Sequence, residues 1–120
     1  MRPTTPSRYA GTPAKRLTFL IGVRDRYRHN SLEVELVKRA RKFKLAGATV
    51  FEGIEGFGAS GHLHRVHVVS DDRPLAVVFV DVSDKIDAFL ESVTPLLHDV
   101  AVVVDEIEIV SLRQTPASGG

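Results

Sequence analysis

Residues 75–93 read LAVVFVDVSDKIDAFLESV, an apolar run that passes directly into an amphipathic one. The continuous apolar run Leu75–Val80 predicts a buried strand. Ser83 or Asp84 then caps a predicted helix, which ends at or before Pro95. The side chains at positions 86, 89, 90 and 93 are apolar and recur at the spacing of one helical face. This stretch therefore predicts a strand followed by a helix that packs against it.

A second strand and helix precede this pair in the chain. Leu17–Ile21 predicts a short strand, and Asn30 or Ser31 is the predicted N-cap of the helix that follows. Acidic residues in the first turn and basic residues in the last suit the helix dipole, and Gly47 is the predicted C-terminal stop. The predicted core face of this helix holds Leu32, Leu36, Ala40 and Phe43.

Three further segments complete the pattern. Residues 48–52 and 100–104 predict strands, the second continuing by alternation to Ile109, and residues 63–69 predict a strand or an extended loop arm. The order β-α-β-β-α-β is that of ferredoxin-like domains, an α+β fold in which two helices cover one face of a four-stranded antiparallel sheet. We assign this domain to residues 16–112, between a basic tail over 1–15 and a tail over 113–120 that are both predicted to be disordered.

The apolar strands also predict self-association. Neither Leu75–Val80 nor Val100–Val104 alternates, as a half-solvated antiparallel strand should. Because two helices cover only one face of the sheet, we expect other copies of the chain to cover the second face. Burial of roughly four such side chains, at about 1.5–3 kcal/mol each, is sufficient to drive this association.

Composition excludes several classes of protein. The chain has no cysteine, which rules out disulfides and thiolate metal sites, and no apolar stretch near the roughly 20 residues of a membrane-spanning helix. We therefore expect a cytoplasmic protein with no direct membrane insertion. The net charge is +1, with bases concentrated in the first third of the chain and acids in the remainder. Since the sequence contains no nucleic-acid recognition module, we do not expect nucleic-acid binding.

Residues 53–61 read GIEGFGASG and follow a predicted strand. Clustered glycines leave backbone N–H groups open to close approach, and such concavities bind anions. The segment is either a tight loop without a ligand, an anion or nucleotide cradle, or a loop that docks on a partner.

Two other clusters carry polar chemistry. His62, His64 and His67 are either exposed loop residues or ligands of a metal ion. Residues 24–29 read RDRYRH and form either a solvated loop or one wall of a cleft between subunits, with arginines facing an anionic ligand. Ser60 lies close to two of the histidines but lacks the strand–turn–helix elbow that presents a nucleophile, so we do not expect an enzyme.

Several of these motifs resemble a known family. The run Gly56-Phe57-Gly58 after a strand resembles the nitrogen-regulatory PII proteins. The sequence is more similar still to the PII-like family catalogued as domain of unknown function 190, over residues 16–112. The similar segments are Tyr27 in a charged linker and the runs AGATV (46–50), GIEGFGASG (53–61) and KIDAFL (85–90). This resemblance implies a trimeric ferredoxin-like signalling module with ligand clefts between subunits.

PII proteins bind adenine nucleotides in these clefts and use a long loop to grip transporters, channels or enzymes. The resemblance therefore implies a small anionic ligand such as an adenine nucleotide, and a docking loop over residues 57–73. The Gly-rich phosphate loop of PII has no counterpart here, where the corresponding residues are Leu97-His98-Asp99. The predicted ligand-binding residues are Thr49, Gly56, Phe57, Gly58, Ala59, Ser60 and Gly61, with Arg24 and Arg26. The alternative is a CutA-like metal- or stress-related protein that uses the histidine cluster.

Overall fold

Two helices lie on one face of a four-stranded antiparallel sheet in the computed structural model, which describes residues 11–53, 55–57, 63–65 and 73–110. Across the sheet the strands follow the order β4 (Gly47–Glu52), β7 (Pro74–Val82), β1 (Thr12–Gly22) and β8 (Ala101–Ile109), and all neighbours are antiparallel. This architecture confirms the predicted α+β, ferredoxin-like fold. The main elements are β1 (Thr12–Gly22), α1 (Leu32–Lys42), β4 (Gly47–Glu52), β7 (Pro74–Val82), α2 (Ser83–Val93) and β8 (Ala101–Ile109). Two small hairpins are formed by β2 (Arg26–Tyr27) with β3 (Asn30–Ser31) and by β5 (Glu55–Phe57) with β6 (Leu63–Arg65).

The core lies between the sheet and the two helices. The register of β1 and β7 pairs Leu17 with Phe79 and Phe19 with Val77, and all four side chains are fully buried. The ring of Phe79 also meets that of Phe89 from α2 edge to face, with centroids 5.1 Å apart. Because odd positions of β1 and β7 face the helices, the apolar run of β7 supplies the core with every second residue.

The first helix begins as predicted but ends earlier. Ser31 is its N-cap, and the hydroxyl of Ser31 accepts a hydrogen bond of 3.1 Å from the backbone N–H of Val34. Lys44 lies in the left-handed region with φ 64°, and the N–H of Leu45 donates to the carbonyl of Ala40, as in a Schellman motif. The prediction that Gly47 ends the helix was therefore wrong, since Gly47 is the first residue of β4.

The domain also begins earlier than predicted. Strand β1 begins at Thr12, so residues 12–15 belong to the sheet and not to a tail. Ala14 is 2% exposed, and its partners in the sheet are Val82 and Ile107. Residues 1–10 of the first predicted tail and the whole of the second, residues 113–120, lie outside the described residues.

The second face of the sheet is apolar and has no cover within the described part of the chain. Phe51 is 59% exposed, Leu20 41% and Val103 43%, and the sheet register places all three on the face opposite the buried Leu17 and Phe19. One row across this face joins Phe51, Ala76, Leu20 and Ala101, and the next joins Thr49, Val78, Thr18 and Val103. The sequence-based expectation of an uncovered apolar face is confirmed, and association through it stays a prediction.

Candidate functional site

The two segments predicted to bind a ligand leave the sheet at the same end. Gly22, the last residue of β1, pairs with Pro74, the first residue of β7. On the other side of β7, the N–H of Gly53 donates to the carbonyl of Pro74 over 2.7 Å. The linker that carries Arg24 and the segment that follows Gly53 therefore flank the start of β7.

Gly53 is needed at this position because of close packing. A Cβ atom placed there would lie 2.9 Å from Cγ of the Pro74 ring, which has little freedom to move. The hairpin β5–β6 follows, in which Gly56 pairs with His64 and Phe57 with Leu63. Gly56 and Phe57 thus lie on an ordered hairpin directly beyond the sheet. Four other predicted ligand residues, Gly58, Ala59, Ser60 and Gly61, lie outside the described residues.

The linker after β1 is a turn followed by the hairpin β2–β3, and its place in a ligand cleft stays a prediction. The carboxylate of Asp25 accepts a hydrogen bond of 2.9 Å from the N–H of Gly22, and its carbonyl accepts one of 2.8 Å from Leu32. Arg28 takes a positive φ of 58° in the turn between β2 and β3. Arg24, in the turn before β2, and Arg26, in β2, are both exposed. The linker therefore presents guanidinium groups from a fixed backbone.

A network on α1 holds the hairpin in place. The guanidinium carbons of Arg28 and Arg39 lie 5.2 and 5.4 Å from the ring centroid of Tyr27, within the range of cation–π contacts. Arg39 Nε donates to Glu35 over 2.8 Å, and Asn30 Nδ2 donates to the second oxygen of Glu35 over 3.3 Å. The hydrogen bond from Arg39, helped by the one from Asn30, lowers the pKa of Glu35. This buried carboxylate is therefore held ionised beneath the hairpin.

Sequence reasoning did not identify this network as part of the site. The spacing of Glu35 and Arg39, four residues apart on a predicted helix, was the available signal for their ion pair. The contact of both residues with the hairpin is a tertiary one, and no local pattern predicts it.

Thr49 lies apart from the other predicted ligand residues. It is exposed in the middle of β4, on the face opposite the helices, and pairs with Val78. Gly53 lies four positions further along the chain, which is roughly 13 Å away at the usual rise per residue. Within one chain, Thr49 therefore belongs to the sheet edge and not to the end where the arginines lie.

The structure does not test the metal-binding alternative. His64 lies in β6, while His62 and His67 lie outside the described residues. Among the described residues, no three histidines, cysteines or acidic residues come close enough to hold a metal ion. No helix in these ranges is both long and apolar enough to cross a membrane.

The chain is similar in sequence to a known family and to a known protein. The DUF190 family model, described as uncharacterized ACR, matches residues 14–109. A UPF0166 protein from Aquifex aeolicus (strain VF5) is 30% identical over 79 residues, which are 64% of this chain and 74% of that protein.

Solved structures extend the similarity to PII-like proteins. One is CPII from Thiomonas intermedia K12, a nitrogen regulatory PII-like protein bound to ADP, AMP and bicarbonate. It has a TM-score of 0.66 at 17% identity, covering 86% of this chain and 93% of CPII. A candidate PII-like signaling protein from Thermus thermophilus has a TM-score of 0.60 at 16% identity, covering 84% of this chain and 93% of that protein. At these identities the two structures show a shared fold.

Proposed function

We propose that this chain, which belongs to the DUF190 family, is a PII-like regulatory protein that binds a small anionic metabolite at clefts between the subunits of a homotrimer. We call residues 23–31, which carry Arg24 and Arg26, the arginine hairpin. The observation that carries the proposal is that the arginine hairpin follows Gly22 on one side of Pro74, while Gly53 lies on the other side. Guanidinium groups and nearby glycine backbone are both suited to oxyanions.

An adenine nucleotide is the ligand that we propose. The fold is shared with CPII, whose structure holds ADP, AMP and bicarbonate. Arg24 and Arg26 would contact the phosphates, and Gly56 and Phe57 would line the cleft beside them. In this proposal no reaction takes place at the site, and binding alone carries the signal.

The trimer supplies the second wall of each cleft. Phe51 and Leu20 on the open face of the sheet would be buried between copies, which favours association. Thr49 lies on the same face and on an edge strand, so a neighbouring copy that covers this face would place its own residues beside Thr49. Thr49 of one chain would then lie close to the arginines of a neighbouring chain, although Thr49 and the arginines lie apart within one chain.

We assign partner docking to residues 57–73, the segment between β5 and β7. The longer stretch that contains it is closed at the sheet by the hydrogen bond from the N–H of Gly53 to the carbonyl of Pro74. A ligand bound at this end would therefore act close to both ends of the docking segment. The proposed partner is a transporter, a channel or an enzyme, and the proposed place of action is the cytoplasm.

Titration calorimetry with ADP tests the proposal. We expect saturable binding to the full chain, and a strong loss of affinity in Arg26→Glu because the reversed charge repels phosphate. Arg41→Glu is the matched control, since Arg41 is an exposed base on α1, which ends at the opposite end of the sheet. Absence of ADP and AMP binding by the unmodified chain would exclude nucleotide sensing, and equal losses in the two variants would remove the hairpin from the site.

A further inference from the structure

We propose that Arg73 is a further oxyanion-binding residue of this site, and that its ion pair with Glu52 is the arrangement without ligand. The inference rests on the proposed function for the location of the ligand, although not for its identity. Arg73 directly precedes β7 and was not among the residues predicted from the sequence.

Backbone hydrogen bonds hold Arg73 between the two segments that are proposed to bind the ligand. Its carbonyl accepts a hydrogen bond of 2.8 Å from the N–H of Val23, the residue before Arg24. The carbonyl of the next residue, Pro74, accepts the hydrogen bond from Gly53. Arg73 therefore lies between the arginine hairpin and the glycine segment.

The guanidinium of Arg73 has an unused donor. Its Nη1 lies 3.2 Å from the Glu52 carboxylate, whereas its Nε is shielded from solvent and has no hydrogen-bond partner in the part of the chain that the structure describes. Arg16 shows the contrasting arrangement, because its Nε and Nη2 both donate to Asp105, over 3.0 and 2.9 Å. Oxyanions bind along the edge of a guanidinium that includes Nε. In Arg16 this edge donates to a carboxylate, whereas in Arg73 its Nε has no partner among the described residues.

An unpaired buried donor is unfavourable, and a charged acceptor removes that penalty. The existing ion pair offers little resistance, since the side chains of Arg73 and Glu52 are 42% and 47% exposed and exposed pairs are weak. Once the guanidinium turns away from Glu52, Nε becomes accessible, and a phosphate or a bicarbonate oxygen would therefore compete with Glu52 for Arg73. Glu52 limits the affinity in this scheme, because its charge repels the incoming anion.

The experiment compares Arg73→Ala, Arg73→Lys, Glu52→Gln and the control Arg41→Ala by titration calorimetry with ADP, pyrophosphate and bicarbonate as separate probes. We expect both Arg73 variants to bind the anion that the unmodified chain binds at least about ten-fold more weakly, because a charge-assisted hydrogen bond is lost. Arg73→Lys keeps the positive charge but lacks the planar guanidinium. It therefore shows whether the affinity depends on the geometry of the guanidinium or only on its charge. Glu52→Gln should bind more tightly, and Arg41→Ala should not change.

The pattern of results separates the two proposals. Binding of ADP that is unchanged in Arg73→Ala and Arg73→Lys would overturn the role of Arg73 and leave the proposed function intact. Binding of pyrophosphate or bicarbonate but not ADP, weakened in both Arg73 variants, would support Arg73 and refute nucleotide binding. If the unmodified chain binds none of the three probes, both proposals fail. Melting curves of each variant exclude loss of folding as the cause of a weaker titration.

Discussion

Glu35 and Arg39 lie one helical turn apart on α1 and are joined by a hydrogen bond of 2.8 Å that holds the Glu35 carboxylate in a site where it is only 7% exposed. Asn30 of the hairpin donates to the same carboxylate. This pair therefore connects the helix to the segment that presents Arg24 and Arg26.

The pKa of Glu35 leads to the first prediction, on the pH dependence of stability. Because the pKa is lowered from 4.5 in the folded chain, the ionised carboxylate stabilises the fold above that value. The contribution is lost as the pH falls through the lower folded pKa. We expect Glu35→Gln to cost about 1–3 kcal/mol at neutral pH and little in strong acid, where the carboxyl of the unmodified chain is also neutral.

Urea unfolding at neutral and acid pH measures this difference. Glu91→Gln on α2 is the control, since Glu91 is exposed. A destabilisation by Glu35→Gln that is equal at both pH values would show that the charge of Glu35 does not contribute.

The apolar patterns were sufficient to predict the fold. The spacing of Ile86, Phe89 and Val93 predicts α2, and these side chains are fully buried against the sheet. The start of β1 was missed because residues 12–16 have no apolar periodicity, while their pairing with both β7 and β8 stabilises the strand in its place. Hydrogen bonding on two sides is a tertiary effect and leaves no pattern in the local sequence.

The site was predictable in part. The glycine run and the arginine linker could both be proposed from the sequence, because each is a local cluster, and their role in binding stays a prediction. Arg73 was missed since a single arginine after a turn carries no sign of the carbonyl contact with Val23 or of the ion pair with Glu52. Tyr27 was noted only as part of a family pattern, and its contacts with Arg28 and Arg39 depend on how the hairpin packs on α1.

The second prediction concerns the close packing of Gly53 against Pro74. Gly53→Ala would push a methyl group to within 2.9 Å of the Pro74 ring and disturb the hydrogen bond between these residues. We expect a loss of stability of about 1–3 kcal/mol, as for overpacking elsewhere. Gly47→Ala is the matched control, because a Cβ atom at Gly47 would meet nothing within 4 Å. Urea midpoints of the two variants test this, and equal midpoints would contradict the steric role of Gly53.

The third prediction concerns the open face of the sheet. Leu20→Asp places a charge in the row that joins Phe51 and Ala76, so it should prevent association through this face. We expect the unmodified chain to have the mass of a trimer by size-exclusion chromatography with light scattering, and the variant to have a smaller mass. Val34→Asp on the outer surface of α1 is the control, since Val34 is 53% exposed on the other side of the molecule. A trimer that survives Leu20→Asp would show that the subunits meet elsewhere.

The fourth prediction concerns two residues with left-handed backbone. Lys44 has φ 64° and Arg28 has φ 58°, a conformation that disfavours side chains with a Cβ atom by about 1 kcal/mol. Lys44→Gly should therefore stabilise the chain by about 0.5–1 kcal/mol, because its carbonyl still accepts the hydrogen bond from Lys85 and glycine is favoured after a helix. Arg28→Gly relieves the same strain but also removes the guanidinium from the Tyr27 ring, so its gain in stability should be smaller.

Thermal unfolding of both variants gives the comparison. An equal gain would show that the contact between Arg28 and Tyr27 contributes nothing to stability, and a loss in Lys44→Gly would show that the Lys44 side chain makes a favourable interaction at the end of α1.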